Sequence, residues 1–240
     1  MIVPYKNQKS GKKEQIANMF NSIARRYDFL NHFLSLGIDK FWRKRAIKYL
    51  LNINKESNIL DVATGTGDLA IIAAKLNPKK IVGVDISEEM LVIGREKVAK
   101  KSLSDKIILL YGDSEKLEFP DNEFHAAMVA FGVRNFENLS DGIQEIYRVL
   151  KANRNFVVLE FSKPNIFPVK QLYNFYFKTI LPFIGRFFSK DDSAYSYLPE
   201  SVKNFPDNKE FIKLLEKSGF RNCSYNRLTF GIVTIYVGTK

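Results

Sequence analysis

Three carboxylates stand where they could act on one ligand: Asp61, Asp85 and Asp113. Asp61 opens the run Asp61-Val62-Ala63-Thr64-Gly65-Thr66-Gly67-Asp68, a glycine-rich turn leading into a helix. Glycines there let the backbone turn sharply and approach a ligand, while a helix N-terminus offers free N–H groups. Gly65-x-Gly67-x-x-Ala70 satisfies a loose dinucleotide fingerprint, and Asp85 lies 20 residues beyond Gly65, where a ribose-binding acid belongs. Spacing alone leaves NAD and S-adenosylmethionine both open. Charge separates them. A pyrophosphate would lie against Asp61 and Asp68 with no Lys or Arg between 59 and 74, so like charges would meet at a desolvated site. S-adenosylmethionine carries a sulfonium and an ammonium group, which Asp61 and the backbone carbonyls suit. Asp113, in Tyr111-Gly112-Asp113-Ser114, is placed to accept a hydrogen bond from the adenine amino group.

These acids need strand ends to hold them, and the middle of the chain supplies such ends. Short apolar runs predict strands over 58–64, 80–86, 107–111, 126–131 and 156–161. Amphipathic runs between them predict helices over 68–76, 87–101 and 139–150, the second capped by Ser87 and followed by Glu88 and Glu89. In the third, Leu139, Ile143, Ile146 and Leu150 mark one buried face. A helix over 209–218, ended by Gly219, and strands around 223–228 and 232–238 complete the core. The expected fold class is α/β: a Rossmann-like, doubly wound, mostly parallel sheet with an antiparallel final strand. Residues 58–162 and 207–240 form this core. Residues 1–57 read as an N-terminal helical arm, with two or three helices over 12–50, and 163–206 as an inserted lid.

Composition narrows the class further. A chain of 240 residues with 45% hydrophobic and 26% charged side chains is a folded globule with room for a sizeable core, which excludes wholesale disorder. A single cysteine, Cys223, excludes an internal disulfide and favours a reducing, cytoplasmic setting. The opening residues lack a secretory apolar stretch, and the longest run without charged side chains, 228–239, has 12 residues, where a spanning helix needs about 18 or more. The formal net charge of +11 invites nucleic acid, but its distribution does not. Residues 1–57 hold 12 basic and 4 acidic side chains, 58–162 hold 13 and 16, 163–190 hold 5 and 0, and 191–240 hold 7 and 6. The core is thus mildly acidic, the arm and insertion are basic, and no nucleic-acid partner is expected. The insertion is also aromatic: 167–188 contains eight of the chain's 32 Phe, Tyr and Trp residues. It reads either as a self-packed helical lid or as a channel for an apolar ligand.

Four motifs together resemble the ubiquinone/menaquinone biosynthesis C-methyltransferase family. They are Tyr27-Asp28-Phe29-Leu30-Asn31-His32 with Ser35-Leu36-Gly37 and Trp42-Arg43; the glycine turn; Phe131-Gly132-Val133-Arg134-Asn135; and Tyr195-Ser196-Tyr197-Leu198-Pro199-Glu200-Ser201. Only the glycine turn is shared with methyltransferases in general. The resemblance spans nearly the whole chain and implies a class I S-adenosylmethionine-dependent enzyme that methylates the ring of a prenylated quinol. It implies cofactor contacts from Thr64, Asp85, Asp113 and Ser114, beside Asp61, Gly65 and Gly67 of the turn, and leans toward demethylmenaquinol as substrate. The chain departs from the family twice: Ala152-Asn153-Arg154 follows Lys151 where Pro-Gly-Gly is usual, and Ala130 stands where some members have serine.

Such a reaction needs alignment of carbon, methyl and sulfur, exclusion of water, and help in reaching a phenolate, since phenols titrate near pH ~10. Arg134 is the expected phenolate stabiliser and holder of a proton-shuttling water, with Asn135 bonding the ring oxygen or the cofactor. His32 is a candidate base, an imidazole having an ordinary pKa of about 6.5. Tyr27, Tyr195 and Tyr197 are the expected substrate contacts. No metal is needed, and two histidines are too few for a His-rich site. A greasy insertion would hold part of a prenyl tail at about 0.8 kcal/mol per buried methylene. Basic residues interleaved with aromatic ones suit a peripheral contact with an anionic membrane. A homo-oligomer stays open. The alternatives are a class I methyltransferase for another lipid or for RNA, and a NAD-dependent dehydrogenase on a similar core.

Overall fold

In the computed structural model, which describes residues 2–176, 179 and 192–240, the five apolar runs form neighbouring parallel strands. They are β1 Asn58–Val62, β2 Lys80–Asp85, β3 Ile107–Tyr111, β4 Ala126–Ala130 and β5 Asn155–Phe161. The chain ends in β6 Arg221–Leu228 and β7 Val233–Thr239, and the seven strands lie in the order β3-β2-β1-β4-β5-β7-β6. β7 runs antiparallel between β5 and β6. The continuous apolar character of β1, β4 and β5 follows from burial on both faces. Adjacent residues serve opposite sides: Ile59 packs with Leu91 and Val157, whereas Leu60 packs with Ile143, Phe156 and Phe211.

The helices in chain order are α1 Lys12–Leu34, α2 Ile38–Ala46, α3 Asp68–Ala73, α4 Glu88–Lys100, α5 Leu139–Val149, α6 Val169–Phe175, α7 Asp192–Asn204 and α8 Lys209–Lys217. Ser87 caps α4 as expected, its Oγ accepting from the Met90 N–H, and Asn138 caps α5. Ile143, Ile146 and Val149 of α5 are fully buried, so Ile146→Ala would cost about 2–5 kcal/mol. Two local departures from the sequence pattern have simple causes. Leu150 leaves α5 in extended conformation and bridges Phe124, still buried but as part of the strand approach. The turn before β5, lacking glycine, places Asn153 at φ 59°, a left-handed conformation that asparagine tolerates, and its N–H reaches the Lys240 carbonyl at 2.8 Å.

The arm lies across the C-terminal ends of the strands. Asn21 Oδ1 of α1 accepts from Ser87 Oγ at 2.7 Å, Lys12 Nζ donates to the Phe136 carbonyl at 2.5 Å, and Lys13 meets Asp113 at 2.6 Å. Ile16 and Met19 of α1 pack with Tyr197 of α7 and with Tyr173, Tyr176 and Ile86, so arm, insertion and the β2 end share one small apolar cluster. Among the described residues no helix is long and apolar enough to cross a membrane.

Candidate active site

A doubly wound sheet opens a crevice where the strand order reverses, and here that point lies between β1 and β4. Both strand ends bend away sharply. Ala63 after β1 and Phe131 after β4 adopt φ 51° and 60°, strained values for residues with a side chain. Gly132 sits so close to this bend that a Cβ there would lie 2.6 Å from the Ala63 Cβ. The result is a cleft holding about 800 Å³ of empty space, partly open to solvent, whose lining includes Tyr27, Arg43, Asp61, Thr64, Asp85 and Asn135.

On the β1–β2 side, the buried Asp61 and the half-buried Asp85 face the cleft with hydroxyl and backbone partners. Asp61 Oδ2 accepts from Thr64 Oγ1 at 2.6 Å, and burial raises its pKa from 3.8 to about 7. Asp85 accepts from the Gly65 N–H at 2.8 Å and the Ser87 N–H at 2.9 Å; burial raises its pKa while those N–H groups pull it back. Gly65 has φ 57°, and a Cβ there would meet no atom within 4 Å, so the turn presents bare backbone to open space. Two acids facing the cleft, remaining lone pairs on Asp85 and an uncovered glycine turn fit a cationic nucleoside such as S-adenosylmethionine.

At the end of β3 the cleft is lined by Gly112 and Ser114. Asp113 points its carboxylate to Lys13 at 2.6 Å and accepts from the Glu115 N–H at 2.9 Å, outside the lining. On the β4–β5 side, Arg134 Nη1 bonds the Phe131 carbonyl at 2.5 Å and Glu160 Oε1 at 2.7 Å. Both side chains of this pair are buried, at 8% and 0% exposure, and the guanidinium lies over the Phe161 ring. Burial pushes the Glu160 carboxyl up, against the pull of Arg134. Arg134 thus backs the cleft wall, while its neighbour Asn135 lines it. Tyr197 donates to Asn135 Oδ1 at 3.2 Å, and burial raises its phenol to about 12. Tyr27 lines the cleft edge-on to Phe20, with burial raising its phenol. The Tyr195 side chain falls outside the described residues.

His32 lies away from the cleft lining. Its Nδ1 is 2.9 Å from Asp39 Oδ2 and its Nε2 is 3.5 Å from Asp68 Oδ2. His32, Asp39 and Asp68 are the one group of metal-ligand type among the described residues, but Arg43 and Lys97 answer its charge. Lys97 Nζ contacts Asp68 at 2.5 Å, Asp28 at 2.6 Å and Thr66 Oγ1 at 3.0 Å. Burial would raise the Asp68 pKa, yet Lys97 and Arg43 outweigh it and the net shift is downward. Asp28, Asp39, Arg43 and Lys97 were not assigned roles from sequence. The usable signal was the Trp42-Arg43 pair in the first family motif.

Residues 7–240 match the model of the ubiE/COQ5 methyltransferase family. The chain belongs to that family. It is 49% identical to a demethylmenaquinone methyltransferase of Bacteroides fragilis, an alignment covering 100% of this chain and 97% of the relative. It is 46% identical to the ubiquinone/menaquinone biosynthesis C-methyltransferase UbiE of Geobacter sulfurreducens, over 95% of this chain and 90% of that one. Among solved structures, a SAM-dependent methyltransferase from Thermotoga maritima superposes with a TM-score of 0.66 at 20% identity, covering 93% of this chain and 99% of that chain. The last likeness establishes the S-adenosylmethionine-dependent methyltransferase fold. Family membership adds that this chain is a methyltransferase.

Proposed function

We propose that the protein transfers a methyl group from S-adenosylmethionine to a ring carbon of demethylmenaquinol, giving menaquinol. The observation that carries this reading is the 49% identity, along the full chain, with a demethylmenaquinone methyltransferase. When bound, S-adenosylmethionine supplies an electrophilic methyl group on a sulfonium. Asp85 with Gly65 holds the ribose, Gly112 and Ser114 border the adenine, and Asp61 with Thr64 takes the ammonium. Asn135, held by Tyr197, bonds the quinol oxygen and orients the ring carbon toward the methyl group. Methylation of the ring carbon would release the sulfur as a neutral thioether and one proton from the quinol, which would pass to water at the open side of the cleft. Arg134, neutralised by Glu160, contributes donors behind the quinol oxygen rather than net charge, and positions Asn135 through the 133–135 turn. His32 serves as anchor of the arm, its ring held between Asp39 and Asp68.

The arm and insertion also support a membrane-facing role. Trp42 Nε1 bonds Thr229 Oγ1 at 2.7 Å and Arg227 bonds Asn165 at 3.0 Å, which brings α2, the 229–231 turn and the start of the insertion to one edge. That edge exposes Phe41, Phe230, Ile166 and Phe167, with Lys40, Lys44 and Arg45 beside them on α2. Such a face suits anionic headgroups and the approach of a lipid-soluble quinol. The deciding experiment offers purified protein S-adenosylmethionine with reduced demethylmenaquinone, a phospholipid and RNA, and weighs the products. A methyl gain confined to the quinone is expected; methylated RNA or phospholipid instead would replace this reading.

A further inference from the structure

The acids of the cleft account for only part of the cofactor. Its methionine end is a zwitterion, and a carboxylate brought into a water-poor cleft without a cation or donors is costly. The cations near the cleft are mostly committed. Lys97 is held by Asp28, Asp68 and Thr66, Lys12 by the Phe136 and Arg134 carbonyls, Lys13 by Asp113, and Arg134 by Glu160. Arg43 differs. It is 4% exposed, lines the cleft, and lies over the Phe131 ring at 5.3 Å from the centroid, beside the β4 end. Its Nη1 bonds Asp39, yet its Nε is buried with no partner in the protein. A buried guanidinium donor left unbonded is a cost that a ligand would remove.

We infer that Arg43 receives the α-carboxylate of S-adenosylmethionine, so that the N-terminal arm completes the cofactor site. This rests on the reading that the cleft binds that cofactor. With the ribose on β2 and the adenine at β3, the methionine end lies over β1 and β4, where Asp61 and Arg43 both face the cleft. The pair matches a zwitterion: the carboxylate of Asp61 for the ammonium, the fork of Arg43 for the carboxylate. Asp39 is the positioning residue. It is 2% exposed and is fixed by Ser35 Oγ at 2.7 Å and His32 Nδ1 at 2.9 Å, so it sets the guanidinium from the side away from the ligand.

The test compares two ligands by calorimetry: S-adenosylmethionine and its decarboxylated analogue, which keeps the sulfonium and amine but lacks the carboxylate. Wild-type protein should bind the analogue about 10- to 100-fold more weakly, the range for a charge-assisted bond. Arg43→Met should weaken S-adenosylmethionine by a similar factor and leave the analogue within about threefold, while Arg43→Lys should fall between, the charge kept and the fork lost. Equal loss for both ligands in a folded Arg43→Met, or equal affinity of wild type for both ligands, would overturn the assignment. Should Arg43→Met fail to fold, the wild-type comparison and Arg43→Lys still decide. Failure of the wild type to bind either ligand would instead remove the cofactor reading on which the inference rests.

Discussion

The two halves of the cleft handle charge in opposite ways. On the β1–β2 side, the buried Asp61 and half-buried Asp85 have hydroxyl and backbone partners, and loss of solvent pushes both pKa values up. On the β4–β5 side, the Arg134 side chain is also buried but carries its counter-ion, Glu160, within the protein. A half that leaves its charges unanswered is shaped for a ligand that brings a cation. A half that answers its own is shaped for a neutral ring. Under the proposed function, the contrast would let one crevice hold a charged nucleoside beside an apolar quinol without either attracting the other's site.

The largest test falls on the self-answered half. Glu160→Gln would leave the Arg134 guanidinium buried without its counter-charge, with an expected loss of about 3–5 kcal/mol in denaturant unfolding. Adding Arg134→Met should return most of that stability, because the stranded charge is gone, yet leave methyl transfer impaired. A double variant no more stable than the single one would mean that the pair is not what balances this half. Next in size, Asp85→Ala should weaken S-adenosylmethionine binding about 100-fold, since the charged acceptor for the ribose hydroxyls is lost. Stability should suffer less, as the Gly65 N–H can turn to water in the open cleft and only the buried Ser87 N–H is left without its acceptor. If binding survived, the cation-awaiting half would lie elsewhere.

How legible was this in the sequence? The sheet was read to within a residue or two at each strand, because parallel strands buried on both faces announce themselves as continuous apolar runs between turns. The same pattern sets Asp61 and Asp85 at the ends of β1 and β2, and both line the cleft. Charges of the arm were not legible. Counted along the chain, no base lies between 59 and 74; in space, Lys97 reaches Asp68 from α4 and Arg43 reaches the cleft from α2. Part of the arm's basic count does not reach the surface: Lys12 and Lys13 pair within the protein, and Arg43 bonds Asp39 and faces the cleft. His32 shows the limit of residue type as a guide: its ring nitrogens face Asp39 and Asp68, not the cleft.

Proton linkage gives a finer probe of the cation-awaiting half. Asp61 in the folded, cofactor-free protein has its pKa raised from 3.8 to about 7, so between those values the folded state holds a proton that the unfolded chain has released. Its contribution to stability is therefore present at low pH and is lost as pH rises through about 7. Cofactor binding runs the other way, because only the ionised carboxylate answers an ammonium. Affinity for S-adenosylmethionine should rise about tenfold per pH unit below that pKa and level off above it. Asp61→Asn should flatten the profile, and an unaltered profile in that variant would move the titrating group elsewhere.

The smallest expected effect lies on the border between the halves. Tyr197→Phe removes only the hydroxyl that donates to Asn135 Oδ1, in a side chain 3% exposed, so stability should fall by about 1 kcal/mol. Asn135 would then keep its place in the 133–135 turn but lose the partner that fixes its amide orientation. If Asn135 faces the quinol, its amide is needed only when the ring oxygen is being held for reaction, so kcat should drop several-fold with the Kd for S-adenosylmethionine unmoved. A shift in that Kd with kcat intact would place Asn135 on the cofactor side. The line between the charge-awaiting and the charge-answered regions would then run between Asn135 and Arg134, two neighbours on one turn, rather than between β1 and β4.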